Sequence, residues 1–100
     1  MISLIESADY ILGPKGKLCE NGLIKNLSEC QKAAKQLKYE FDTEESVNSW
    51  PGGCYMHSEC DSCMTYVYFN KNLNGIPNVE ATPICGKGKY GKHFIKILEH

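Results

Sequence analysis

Cys60 and Cys63, with His57 three residues ahead of them, are the residues whose types and spacing most directly suggest chemistry. A Cys-x-x-Cys pair exchanges disulfides when its first thiol lies at a helix N-terminus after a buried strand, where its pKa falls. Here the pair lies between two extended runs and beside Glu59 and Asp61, whose charge disfavours a thiolate. It reads as a structural pair and not a redox centre. His57, Cys60, Cys63 and Cys54 together make a chemically acceptable tetrahedral zinc set. That use would strand Cys30 and compete with disulfide formation, so no metal is assigned. Asp42-Thr43-Glu44-Glu45 offers carboxylates without the order of an EF-hand loop, and reads as a solvated acidic loop. The chain has no Gly-x-Ser-x-Gly, phosphate loop or His-Glu-x-x-His, and His93 has no identifiable nucleophile beside it. We assign no catalytic residue and no cofactor, and expect a protein that is not an enzyme.

Aromatic side chains are the better candidates, because a ring offers a broad apolar face with a polar handle. Their placement depends on the elements that carry them. From Asn26 the chain reads NLSECQKAAKQLKYEF, with Cys30, Ala33, Ala34, Leu37 and Phe41 on the stripe of a buried helix face. A helix is predicted from about Glu29 to Tyr39, with Ser28 as N-cap and Gln31 completing a capping box. Lys32, Lys35 and Lys38 fall on its outer flank. Trp50-Pro51-Gly52-Gly53 is a turn cluster leading into a strand from Gly53 to His57. Thr65 to Asn70, β-branched and aromatic, is the strongest strand in the chain. The two runs are expected to pair antiparallel around the cysteine loop. Asn72 to Asn78 reads as loop, with a turn at Asn74-Gly75. A short strand is expected near Val79 to Cys85, and an edge strand at Ala8 to Leu12.

Six cysteines in a chain of 100 residues point to an oxidising, extracellular or lumenal compartment. They allow fifteen pairings, and the residues alone do not choose among them. Chain entropy assigns roughly 3.5 kcal/mol to a Cys30–Cys54 bridge, roughly 4.4 to Cys19–Cys85 and about 2 to Cys60–Cys63. If Cys54 turns toward the helix to meet Cys30, alternation sends Met56 the same way and Tyr55 and His57 the other. Val67 and Phe69 are then the inward pair of the next strand. Tyr66 and Tyr68 join Tyr55 and His57 on the far face.

At 42% hydrophobic and 23% charged, the chain is of the globular class. Its apolar runs fall short of the ~20 residues a bilayer crossing needs, so no transmembrane segment is expected. Net charge is −1, split between −4 over residues 1–85 and +3 over residues 86–100. Every basic residue is Lys. Without Arg the chain lacks the side chain best suited to reading phosphates and bases, which argues against nucleic acid as partner. Met1 to Leu12 carries two acids and lacks the basic head of a secretion signal. We expect one cysteine-rich domain over residues 1–86 and a solvated Lys-rich tail over 87–97. Leu98, Glu99 and His100 read as a tag remnant. Asn26-Leu27-Ser28 is a formal N-glycosylation acceptor.

Cys19, SECQKAAKQL from Ser28, WPGGCY from Trp50, VYFN from Val67 and PIC ending at Cys85 occur in that order. The pattern resembles a family of small extracellular cysteine-rich domains, often arranged in tandem. Its marks are a Cys-x-x-Ala-Ala helix, Pro-x-Gly-Cys-Tyr, Val-Tyr-Phe-Asn and a terminal Ile-Cys. The resemblance covers about residues 17–86 and implies compartment and fold, since the family carries no established activity. The family's four recurring cysteines match Cys19, Cys30, Cys54 and Cys85, leaving Cys60 and Cys63 as an additional pair. The helix-then-strand order also resembles the PAN/apple modules, which recognise proteins or carbohydrate, although their full cysteine set is absent.

These readings converge on an α+β domain, one helix on a small antiparallel sheet, fixed by Cys19–Cys85, Cys30–Cys54 and Cys60–Cys63. The expected role is a secreted, monomeric recognition or matrix module contacting an extracellular protein or glycan through Trp50, Tyr55, Tyr66 and Tyr68. The rival is a secreted effector, a protease inhibitor, toxin or antimicrobial, acting through the cysteine loop or the Lys-rich tail.

Overall fold

A computed structural model describes residues 9–87. The Lys-rich tail from residue 88 and the tag remnant lie outside those residues, as does Ala8 of the expected Ala8 to Leu12 edge strand, whose remainder forms the edge strand Tyr10–Leu12. Six elements follow in order: β1 (Tyr10–Leu12), α1 (Leu27–Leu37), β2 (Glu40–Glu45), β3 (Gly53–Ser58), β4 (Thr65–Asn70) and β5 (Thr82–Gly86). One sheet runs β1-β5-β3-β4-β2, with α1 packed on one face. The architecture is therefore α+β and disulfide-stabilised, as expected.

The sheet is mixed, which corrects the antiparallel expectation. Three of its pairings are antiparallel, while β2 runs parallel to β4. A strand that leaves a helix and returns beside a later strand needs no hairpin, so it is free to enter in the parallel sense. The segment read as an acidic loop is this strand. Its carboxylates suit an exposed edge, where charge discourages pairing with another chain.

α1 begins two residues earlier than the spacing predicts, and its cap is Asn26 in place of Ser28. The Asn26 Oδ1 accepts the Glu29 backbone N–H at 2.8 Å, and the Ser28 hydroxyl donates to that same oxygen at 3.0 Å. Ser28 thus supports the cap from inside the helix. At the other end Lys38 adopts φ 66°, ψ 36°, and its N–H reaches the carbonyls of Ala34 and Lys35. This left-handed turn reverses the chain into β2.

Cys30, Ala33 and Ala34 press against Val67, Phe69, Cys54, Ile84, Tyr10 and Ile24, and Leu27, Leu37, Phe41 and Met56 close the rim. Small alanines let the helix approach the larger apolar residues of the sheet. β3 and β4 pair antiparallel as expected, and their register sets Cys54 opposite Phe69 and Met56 opposite Val67 on the helix side. Disulfides join Cys30 to Cys54 between helix and sheet, Cys19 to Cys85 between the 19–24 segment and β5, and Cys60 to Cys63 within the β3–β4 loop. Among the described residues no helix is long and apolar enough to cross a membrane.

β5 begins later than Val79. An Asn78-centred turn, with Asn78 Oδ1 accepting from the Glu80 N–H and its carbonyl from the Ala81 N–H, holds the chain off the sheet until Thr82.

Candidate functional site

Tyr55 lies opposite Tyr68, and His57 opposite Tyr66, on the sheet face away from α1. The Tyr55 and Tyr68 rings stack at 5.4 Å, and Trp50 stacks on Tyr55 at 5.5 Å with an interplanar angle of 9°. His57 meets Trp50 at 4.8 Å, tilted. Trp50, Tyr55 and Tyr68 therefore form one row across the strands, with His57 at its end and Tyr66 one step along β4. Offset stacking of this kind adds about 0.5–1.5 kcal/mol per pair beyond area burial.

Tyr55 differs from its neighbours. It is only 2% exposed, so it forms the middle of the row and presents no open face of its own. Trp50 folds across it from the preceding loop, which simple strand alternation does not foresee. Trp50, His57, Tyr66 and Tyr68 remain half-buried, with part of each ring exposed.

Two residues outside the candidate set hold the row in place. The first is Glu45, whose carboxylate accepts a hydrogen bond from the Tyr55 hydroxyl. Burial, that bond and the Glu45 charge push the Tyr55 hydroxyl's pKa far above its ordinary value. Glu45 reaches this face because the β2–β4 register slips by one residue at Asp42: Phe41 aligns with Val67, but Thr43 with Tyr68 and Glu45 with Asn70. A one-residue slip exchanges the faces of a strand. Phe41 consequently points into the core while Glu45 joins the aromatic side. Tyr68 is also raised, first by burial and then by the Asp42 carboxylate, with smaller contributions from Glu59 and Glu45. The field at this end of the row is negative.

The second is Asn70, fully buried. Its Nδ2 donates to the carbonyls of Val47, Trp50 and Pro51, and its Oδ1 accepts the N–H groups of Val47 and Asn72. The Trp50 loop is thereby fastened to the end of β4. Asn78 adds a bond to the Ser49 carbonyl, and the Ile76 N–H one to Asn48. Glycine makes the closure possible: a Cβ at Gly75 would lie 2.1 Å from the Trp50 carbonyl oxygen, and Gly53 enters β3 at φ 86°. The WPGG cluster announced a turn in the sequence, but nothing local to Asn70 or Glu45 marked either as a partner.

Beyond His57 the face opens into a polar groove of about 460 Å³ between the cysteine loop and the Glu80 turn, lined by Lys15, Ser58, Asp61, Thr65 and Thr82 among others. His57 Nδ1 lies 3.2 Å from the Glu80 carbonyl. Ser58 turns its hydroxyl to the carbonyls of Cys60 and Cys63, and so shapes the loop. The sulfurs that zinc coordination would require are joined in disulfides, Cys54 with Cys30 and Cys60 with Cys63. The arrangement is suited to contact: ring edges, carboxylates and hydroxyls on a framework held by buried hydrogen bonds. Comparison with protein-family models, curated proteins and solved structures gives no significant match to the chain.

Proposed function

We propose that the domain is a secreted, non-catalytic recognition or matrix module that binds an extracellular protein or a glycan through the open face of its sheet. The observation that carries this reading is the row Trp50–Tyr55–Tyr68, held outside the helix-packed core by Asn70 and Glu45. Aromatic faces flanked by hydrogen-bonding groups suit sugar rings and protein hot spots alike. The three disulfides suit an oxidising compartment. The resemblance to small tandem extracellular domains, and more distantly to PAN/apple modules, points the same way.

The deciding experiment replaces Tyr66 and Tyr68 with Ala together and screens both proteins against glycan arrays and secreted-protein libraries. Loss of the wild-type partners with the three disulfides intact supports the face. Retention of every partner by the folded double variant removes it. The effector reading draws on one observation, the run Glu59–Met64 between β3 and β4, each residue of which is exposed. Exchange of Glu59, Asp61 and Met64 for Ser would abolish an effector's activity and leave recognition by the aromatic face unchanged.

A further inference from the structure

We propose that Asn26 is an N-glycosylation site whose amide oxygen caps α1 while its amide nitrogen carries the sugar. The inference rests on the reading of the domain as secreted, because the transfer occurs in the secretory lumen. Asn26-Leu27-Ser28 is the single Asn-x-Ser/Thr triplet of the sequence. A triplet alone says little about the folded protein, and a residue already used as a helix cap would ordinarily resist modification.

The geometry removes that conflict. Glu29 contributes a backbone N–H at 2.8 Å from the Asn26 side chain, and only the amide oxygen can accept it. The Ser28 hydroxyl donates to the same oxygen at 3.0 Å. With the oxygen turned inward, the planar amide directs Nδ2 away from the helix. Among the described residues Nδ2 takes part in no hydrogen bond, and Asn26, Lys25 and Ser28 are all exposed. The backbone at Asn26 is extended, φ −141° and ψ 156°. An extended chain is open to an attached sugar on its solvent side. An N-linked glycan leaves the amide oxygen in place, so the cap persists after modification.

The donor is a lipid-linked oligosaccharyl pyrophosphate, supplied with its membrane transferase by the host cell. Asn26 Nδ2 forms a bond to C1 of the first sugar as the C1–oxygen bond to the pyrophosphate breaks. One proton leaves Nδ2 and is taken up by solvent, the lipid pyrophosphate departs with the bond electrons, and nothing is oxidised or reduced. The glycan would sit at the start of α1, on the helix layer, opposite the aromatic row. It would shield the helix and leave the recognition face open.

The test secretes the full chain from a eukaryotic cell and reads its intact mass before and after peptide N-glycosidase. The expected result is an added glycan mass, lost on digestion and mapped to Asn26. Two variants keep the helix start intact. Asn26→Asp retains a capping oxygen without the acceptor nitrogen, and Ser28→Ala removes the triplet's hydroxyl. Each should carry three disulfides and no glycan. Secreted wild-type protein with three disulfides and the mass of the bare chain overturns the proposal while leaving the recognition face standing. A glycosylated protein whose Tyr66/Tyr68 double variant keeps every partner overturns the face and leaves the glycan standing.

Discussion

Asn70 makes five hydrogen bonds from a fully buried side chain, and four of them reach the Val47–Pro51 segment that positions Trp50. Asn70→Ala leaves buried backbone groups unpaired, each of which costs about 1–3 kcal/mol. We expect a loss of about 3 kcal/mol in chemical denaturation. Trp50 emission should shift to the red in the still-folded variant as its loop loosens. An unchanged emission spectrum would show that the loop is held by other contacts. Tyr55 makes a pH prediction at the same scale. Its folded pKa lies above the ordinary 10.0, so the native state keeps a proton that the unfolded chain gives up. Stability is then complete below pH 10 and falls as pH rises beyond it. Tyr68 and Tyr10, also raised, act in the same sense. Tyr55→Phe should flatten this alkaline decline, measured as denaturation midpoints across the alkaline range. An identical slope in the variant would mean that Tyr55 ionises as freely in the folded protein as in the unfolded chain.

At the scale of elements, the joint between α1 and β2 is the informative one. Lys38 occupies the left-handed region, where a Cβ is unfavourable, and its side chain is exposed. Lys38→Gly should stabilise the domain by about 0.5–1 kcal/mol, with the denaturant slope unchanged. A loss of stability would indicate that the lysine stem packs or pairs. The same joint explains what was legible. α1, β3 and β4 could be read because their apolar residues repeat at the period of the element that forms, Cys30-Ala33-Ala34-Leu37 for the helix and Val67-Phe69 for the strand. β2 could not, because Glu40, Asp42, Glu44 and Glu45 carry no apolar alternation and its partner lies more than twenty residues on. Its register slip at Asp42 has no local signature either.

For the whole molecule, the disulfides divide into two classes. Cys30 and Cys54 are buried in the core and Cys85 nearly so, whereas Cys60 and Cys63 are exposed at the tip of a loop. Chain entropy gives the bridges with sequence separations of 66 and 24 roughly 4.4 and 3.5 kcal/mol, and the three-residue bridge about 2. Limited reduction under native conditions should therefore open Cys60–Cys63 first with the fold retained. Opening of the other two should coincide with unfolding. Alkylation and peptide mapping at successive reductant concentrations would read that order, and simultaneous loss of all three bridges would refute it.

The sequence by itself determined the helix, the two central strands and the turn at WPGG, because each follows from periodicity or backbone chemistry within a few residues, whereas the facing of the strand residues followed only once Cys54 was taken to meet Cys30. Resemblance supplied the division of the cysteines that the bonded sulfurs match. Tertiary structure alone decided that an acidic segment would be a parallel edge strand, that Tyr55 would be covered by Trp50, and that Asn70 and Glu45 would hold the row. Those outcomes depend on which distant backbone groups and rings come within reach once the sheet closes. The energies involved belong to pairs of residues far apart in the chain, so no local pattern records them.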